Sequence, residues 1–299
     1  MAASSEPSTK EWVQSLVEPG MLLFWAMSYY ARVNFETVFQ RRQLLAPLLQ
    51  TSKLRDEAFG RFWVAFSTTR ADGPPPPVAD APASGQIQCS SDLIPPILAR
   101  ASGVVLDVGP GTGTQMPLLR SPAIKAIYGA EPCAGLHAEL RARAEAEGLA
   151  DKYHIVPTSV VAAELVPALE ARGLSVAGSG SGVFDTIVCV RVLCSVPDMR
   201  RTVAELYGLL RPGGRLLVVE HVVNPWRTPK GSLVARVMQA VYGWLGWSWF
   251  VGDCCLNRDT EAALRAAAAA DGGWEEVEVD RWFGRSPLPY VSGVLVKRG

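Results

Sequence analysis

The sequence predicts an α/β protein: a mostly parallel sheet with helices on both faces, preceded by an N-terminal helical cap. Three observations predict it. From about residue 92 onward, short Val/Leu-rich runs alternate with helical stretches, the pattern of strands joined by helical crossovers. Residues 11–66 instead repeat apolar side chains at three- and four-residue spacing (Leu22, Leu23, Ala26, Tyr29, Tyr30, Val33), which predicts helices. Between the two, residues 71–85 combine four consecutive prolines with small residues, so an extended link is expected. The expected division is a cap over 1–70, a link over 71–91 and a main domain over 92–299.

The elements of the main domain come in order along the chain. A strand is predicted at 104–108, a helix ending at Gly148, and short strands at 154–157 and 185–190. A helix is predicted over 198–210, because Asp198 can cap its N-terminus and Val203, Leu206, Tyr207 and Leu210 share one face. Pro212 should stop that helix, and a further strand runs over 215–222. Residues 173–183 hold Gly and Ser with few packing side chains and read as a surface loop.

Composition narrows the function classes. The chain has 299 residues, 48% hydrophobic and 19% charged, so a folded protein with a sizeable core is expected. Twenty-nine basic residues balance 29 acidic ones, which argues against nucleic-acid binding through a basic surface and points to a small-molecule partner. The six cysteines form no C-x-x-C pair, so neither structural zinc nor a disulfide framework is expected, and no metal ligands are assigned. No secretory leader is legible, which fits a reducing cytoplasm. The apolar run at 21–31 is about half the roughly 20 residues a membrane span requires, so no transmembrane segment is expected.

The strongest chemical signal is Val104-Val105-Leu106-Asp107-Val108-Gly109-Pro110-Gly111-Thr112-Gly113, an apolar strand entering a glycine-rich turn, with a helix expected after it. Such a turn lets backbone approach a ligand with no Cβ in the way. Eighteen residues beyond Gly113, after a second apolar run, Glu131 stands where a carboxylate can hold a ribose diol. Dinucleotide-dependent oxidoreductases share this layout. Counting from Gly109, however, the third glycine of their fingerprint is replaced by Thr114, and no Tyr-x-x-x-Lys pair is present.

Asp107-x-Gly109-x-Gly111-x-Gly113, succeeded by Leu210-Arg211-Pro212-Gly213-Gly214 leading into a strand, resembles a class I S-adenosylmethionine-dependent methyltransferase. The segments 184–197, Val219-Glu220-His221-Val222 and Asn257-Arg258-Asp259-Thr260 are similar to a fungal branch that tailors secondary metabolites, including ustiloxin- and phomopsin-type peptides. The animal thiol methyltransferases look like more distant relatives. The resemblance implies a Rossmann-like, seven-stranded sheet ending in an antiparallel hairpin, with candidates at 277–279 and 290–296. It implies S-adenosyl-L-methionine as cofactor. Gly109, Gly111 and Gly113 would pass beneath its methionine part, Asp107 would support the turn, and Glu131 would hold the ribose. Ser159 would lie on the adenine side, and Cys189, Val190 and Arg191 would border the sulfonium.

Methyl transfer from a sulfonium is an in-line displacement in which the protein mainly orients two reactants. Amines and thiols lose a proton near neutral pH, whereas an alcohol requires a base. His221, at the end of the fifth predicted strand, is the candidate base, with a structural histidine as the alternative. His137 and His154 read as structural or solvated. Cys194 reads as a small packing residue and Cys254 and Cys255 as inert. Residues 225–256 read as an aromatic insertion carrying Trp244, Trp247, Trp249 and Phe250; these either pack in a core or, with the N-terminal helix, close an apolar acceptor pocket. The expected acceptor is a small or peptidic secondary metabolite, methylated on nitrogen first, then sulfur, then oxygen.

Overall fold

The computed structural model describes residues 8–71, 87–176 and 182–299. Most of the predicted Pro-rich link, and the centre of the Gly/Ser loop, lie outside the described residues.

The cap begins with α1 (Thr9–Phe35), whose Ser8 side chain accepts from the Glu11 backbone while Glu11 reaches back to the Ser8 N–H. A π-helical turn (Glu36–Gln40) and the short α2 (Ala46–Leu49) lead into α3 (Thr51–Ala71). Leu23 and Ala26 of α1 meet Phe62 of α3 in one apolar cluster. Val13, Val17, Met21 and Phe24, on the opposite side of α1, are exposed. Among the described residues, no helix is long and apolar enough to cross a membrane.

The main domain opens with α4 (Ile94–Leu98), β1 (Gly103–Val108) and β2 (Ile124–Ala130), then α5 (His137–Ala146), β3 (Tyr153–Val156) and α6 (Ala162–Glu170). Next come β4 (Phe184–Val190), α7 (Met199–Leu209) and β5 (Leu210–His221). The insertion holds α8 (Leu233–Trp244) and α9 (Trp247–Phe250), and the chain ends with α10 (Thr260–Ala266), β6 (Glu276–Trp282) and β7 (Tyr290–Val296). The sheet order is β3-β2-β1-β4-β5-β7-β6, with only β7 antiparallel to its neighbours.

Alternation along each central strand sends its side chains to two cores. Leu106, Ile187 and Leu216 face α6, α7 and α10, while Val105, Val188 and Leu217 face α4 and α5. Strand order reverses between β1 and β4, so a crevice opens outside their carboxyl ends.

Two expectations are corrected. No α-helix succeeds the glycine-rich turn: a 3-10 turn (Met116–Leu119), which itself contains Pro117, is all that fits before Pro122 and the start of β2. Pro212 does not end α7 either, since Leu210 already pairs with Phe184 as the start of β5. The segment Arg211–Gly214 is accommodated as a bulge before Thr186 meets Arg215. Asp198 caps α7 by accepting from the Arg201 N–H at 3.1 Å.

Candidate functional site

The turn after β1 is built on three glycines, Gly109, Gly111 and Gly113, all at positive φ. A Cβ on Gly111 would stand 2.8 Å from Nε1 of Trp63, so α3 of the cap lies directly over the turn. Beneath it, the Glu131 carboxylate, at the end of β2, accepts the Gly111 N–H at 2.9 Å and the Cys133 N–H at 2.8 Å. Burial pushes the Glu131 carboxyl above the usual carboxylate range, and the two backbone donors oppose that shift. His137 holds the same corner from outside, its Nε2 lying 2.8 Å from the Glu131 carbonyl oxygen.

Trp63, Gly109, Gly111, Glu131 and Cys133 line a cleft of about 2030 Å3. That is larger than the roughly 300–1,000 Å3 of a single small-ligand site, and leaves room for two reactants side by side. Gly109, Gly111, Glu131 and Arg191 form its polar wall, and Leu22, Trp25, Tyr29, Trp63, Trp247 and Val251 form much of its apolar wall. Cap and insertion meet where the Tyr242 hydroxyl of α8 donates to the Leu16 carbonyl at 2.7 Å, with Gly20 leaving room for the ring.

The remaining sequence-predicted site residues are placed elsewhere. Asp107 does not support the turn: its carboxylate accepts from the Tyr153 hydroxyl at 2.8 Å. Burial raises its pKa to about 6, against the opposing Tyr153 hydrogen bond. Gly113 packs toward Met116 and Leu140 rather than the cleft. Ser159 donates to Glu164 at 2.6 Å on an exposed loop and does not reach the cleft wall. Cys189 is buried in the sheet core and Val190 packs against the other core, so of this trio only Arg191 borders the cleft. Its guanidinium turns to the hydroxyls of Ser90 and Ser91, 2.9 and 3.2 Å away. Of the four aromatic residues noted in the insertion, only Trp247 lines the cleft; Trp244 is 84% exposed.

His221 lies on the cleft wall, buried, with Nε2 3.1 Å from the Cys254 Sγ. Burial lowers its pKa, but the neighbouring Cys194 and Glu220 outweigh that and hold it above the ordinary histidine value. Glu220 beside it accepts the N–H groups of Val192 and Leu193 at 2.9 and 3.1 Å, and burial pushes its carboxyl up to about 7. That carboxylate fixes the loop after β4, a role for which the sequence carries no local signal.

Three more features escape sequence reasoning. Trp63 reaches the turn only through the fold of the cap. Cys194 and Cys254 converge on His221 although they belong to separate segments. Gln239 of α8, fully buried, accepts the Asn224 N–H and donates to the carbonyls of Val222 and Leu256, tying the insertion to the sheet. A lone glutamine inside an apolar helix is the one signal that could have marked it.

The chain's similarity to known proteins bears on this geometry. A family model described as a methyltransferase domain matches residues 86–279. Thiol S-methyltransferase TMT1B from Homo sapiens is 34% identical over 123 residues, 39% of this chain and 45% of the relative. A demethylmenaquinone methyltransferase from Thermus thermophilus is 32% identical over 153 residues, covering 50% of this chain and 60% of the relative. A phosphatidylethanolamine N-methyltransferase from Cereibacter sphaeroides is 28% identical over 147 residues, covering 48% and 63%. The chain thus spans about half the length of the curated relatives it matches.

The methyl donor of such domains is S-adenosyl-L-methionine, and the residues present fit it. Any side chain at Gly111 would fill the space beside the turn, and each Glu131 oxygen, having accepted one backbone N–H, keeps a lone pair for a ribose hydroxyl. The matched family model, the single antiparallel strand at position β7 and the Gly111–Glu131 corner agree: this chain belongs to the methyltransferase domain family.

Proposed function

We propose that this protein transfers a methyl group from S-adenosylmethionine to the sulfur of a small apolar thiol. The observation that carries the reading is the shape and lining of the cleft, in which the polar Gly111–Glu131 wall faces an apolar wall from the cap and Trp247. The polar wall suits the cofactor, which supplies the electrophilic methyl sulfonium. The apolar wall suits an uncharged acceptor. Holding both in one cleft contributes through orientation, worth roughly 7–11 kcal/mol of a bimolecular barrier.

Sulfur moves ahead of nitrogen for two reasons. The similarity to thiol S-methyltransferases supports it. A free thiol also ionises near pH 8.5 and needs no dedicated base, which suits a wall where His221 is engaged by a cysteine instead of standing free. An apolar or peptidic secondary metabolite bearing a thiol fits the same cleft, and turnover in a reducing cytoplasm is consistent with free thiols throughout.

The test is a mass-spectrometric screen of thiol-, amine- and phenol-bearing acceptors for the gain of one methyl, alongside calorimetry with S-adenosylhomocysteine and NADPH. Thiol methylation with S-adenosylhomocysteine binding is expected. Methylation confined to amines or phenols would overturn the sulfur assignment, and NADPH binding alone would return the protein to the oxidoreductases.

A further inference from the structure

We infer that Cys194, His221 and Cys254 form a three-ligand site for a thiophilic divalent cation, zinc by chemistry, with its fourth position open to the cleft. Their ligand atoms all lie within 4.8 Å of one another, and all three residues are buried on the cleft wall. Zinc with thiolate at about 2.3 Å and imidazole at about 2.0–2.1 Å makes a tetrahedron with ligand–ligand edges of roughly 3.5–3.8 Å. The 3.1 Å between His221 Nε2 and Cys254 Sγ therefore needs to widen by only a few tenths of an ångström.

A second observation comes from the histidine itself. Its Nε2 faces thiol sulfur, which bonds weakly, while among the described residues Nδ1 has no partner. Nε2 is therefore the nitrogen that a cation between the two cysteines would take. Two thiols and an imidazole form a soft donor set that selects zinc over magnesium or calcium.

The scaffold is rigid around all three. His221 closes β5 in register with Tyr290 of β7. Cys194 sits in the loop that the Glu220 carboxylate fixes through Val192 and Leu193. The Cys255 N–H donates to the Cys194 carbonyl at 2.9 Å, which locks the two cysteine segments together. Three protein ligands with one open position is the arrangement of a catalytic rather than a structural zinc.

The role comes from the open position and rests on the sulfur acceptor proposed above. An acceptor thiol binding there gives its proton to water and stays as thiolate. A lone pair on its sulfur then forms the S–CH3 bond as the methyl–sulfonium bond breaks, and the bonding pair leaves on the sulfur of S-adenosylhomocysteine. No electrons are gained or lost from the protein.

The test uses the full chain, purified under reduction, stripped with a chelator and titrated with cobalt(II) without S-adenosylmethionine. One equivalent should give thiolate-to-cobalt charge-transfer absorption, and zinc should displace it. Cys254→Ser should cut that absorption by about half and weaken binding beyond the 10–100-fold typical of losing only an outer-shell partner. If Cys254→Ser does not fold, Cys254→His retains a ligand and should shift the band. Adding a small thiol should perturb the cobalt spectrum before any methyl transfer. No absorption in the wild type, or full absorption in Cys254→Ser, would each overturn the site. A cobalt spectrum that thiols leave unchanged would overturn the activating role. A perturbed spectrum without thiol methylation would instead refute the sulfur acceptor while the site stands.

Discussion

The Gly111 N–H donates to the Glu131 carboxylate at 2.9 Å, joining the turn after β1 to the end of β2 through a buried side-chain hydrogen bond. The carboxylate thereby shapes the turn, and on the proposed reading its free lone pairs also accept the ribose hydroxyls. Glu131→Ala removes both functions. It should weaken S-adenosylhomocysteine binding by about 1.5–3 kcal/mol, roughly 10- to 150-fold, for the charge-assisted bonds lost. Calorimetry on the folded variant checks this, and unchanged affinity would remove Glu131 from the cofactor site.

Gly111→Ala meets two obstacles at once, a φ of +61° and the Trp63 indole 2.8 Å from the new methyl. The left-handed backbone alone costs about 1–2 kcal/mol for a residue with a Cβ. In a Trp63→Ala background the steric part should disappear and the backbone part remain. Thermal unfolding of the two singles and the double variant separates them; strictly additive effects would mean that the indole does not touch the turn.

Asp107 carries a pH signature. Its carboxyl titrates at about 6 in the folded protein against an ordinary value of 3.8, because burial disfavours the charge. The folded state therefore binds more protons than the unfolded state between these values. Stability should be fullest below pH 4 on this account and fall as pH rises through 6, by on the order of 3 kcal/mol. Asp107→Asn keeps an acceptor for the Tyr153 hydroxyl and should flatten that fall, gaining stability at pH 7.5. Denaturant midpoints across pH 4–8 measure it, and parallel curves for the two proteins would contradict it.

Gln239 satisfies three backbone groups at once, so Gln239→Leu, though similar in size, should strand the Asn224 N–H and the carbonyls of Val222 and Leu256. At about 1–3 kcal/mol for each buried group left unpaired, a loss of at least 3 kcal/mol is expected. For a chain of this length that lowers Tm by roughly 5 °C or more. A shift below 2 °C in calorimetry would show that the insertion does not depend on this side chain.

Periodicity and turn chemistry are enough to reveal the parallel part of the sheet. The β-branched runs at β1, β4 and β5 and the cap at Asp198 are local signals, because two-residue alternation and N-cap hydrogen bonding act within a few residues, whereas the hairpin of β6 and β7 was implied only by the family resemblance. The glycine-rich turn and Glu131 are legible for the same reason: a positive-φ backbone demands glycine, and the carboxylate comes one strand later. The helix expected after that turn is absent because glycine and proline mark where a strand stops without specifying the next element.

Tertiary structure alone decided the rest. Trp63 meets Gly111, Glu220 grips the loop at Val192, and Cys194 and Cys254 close on His221 because β4, β5 and the insertion end at one edge of the sheet. Ser159, Cys189 and Val190 lie on the predicted strands or just beyond them, yet loop course and pleat turn them away from the cleft. A chain encodes its strands through nearest neighbours, but which side chains share a wall depends on where strands separated by many residues come to an end. That is set by the packing of the whole sheet, and no short window of sequence contains it.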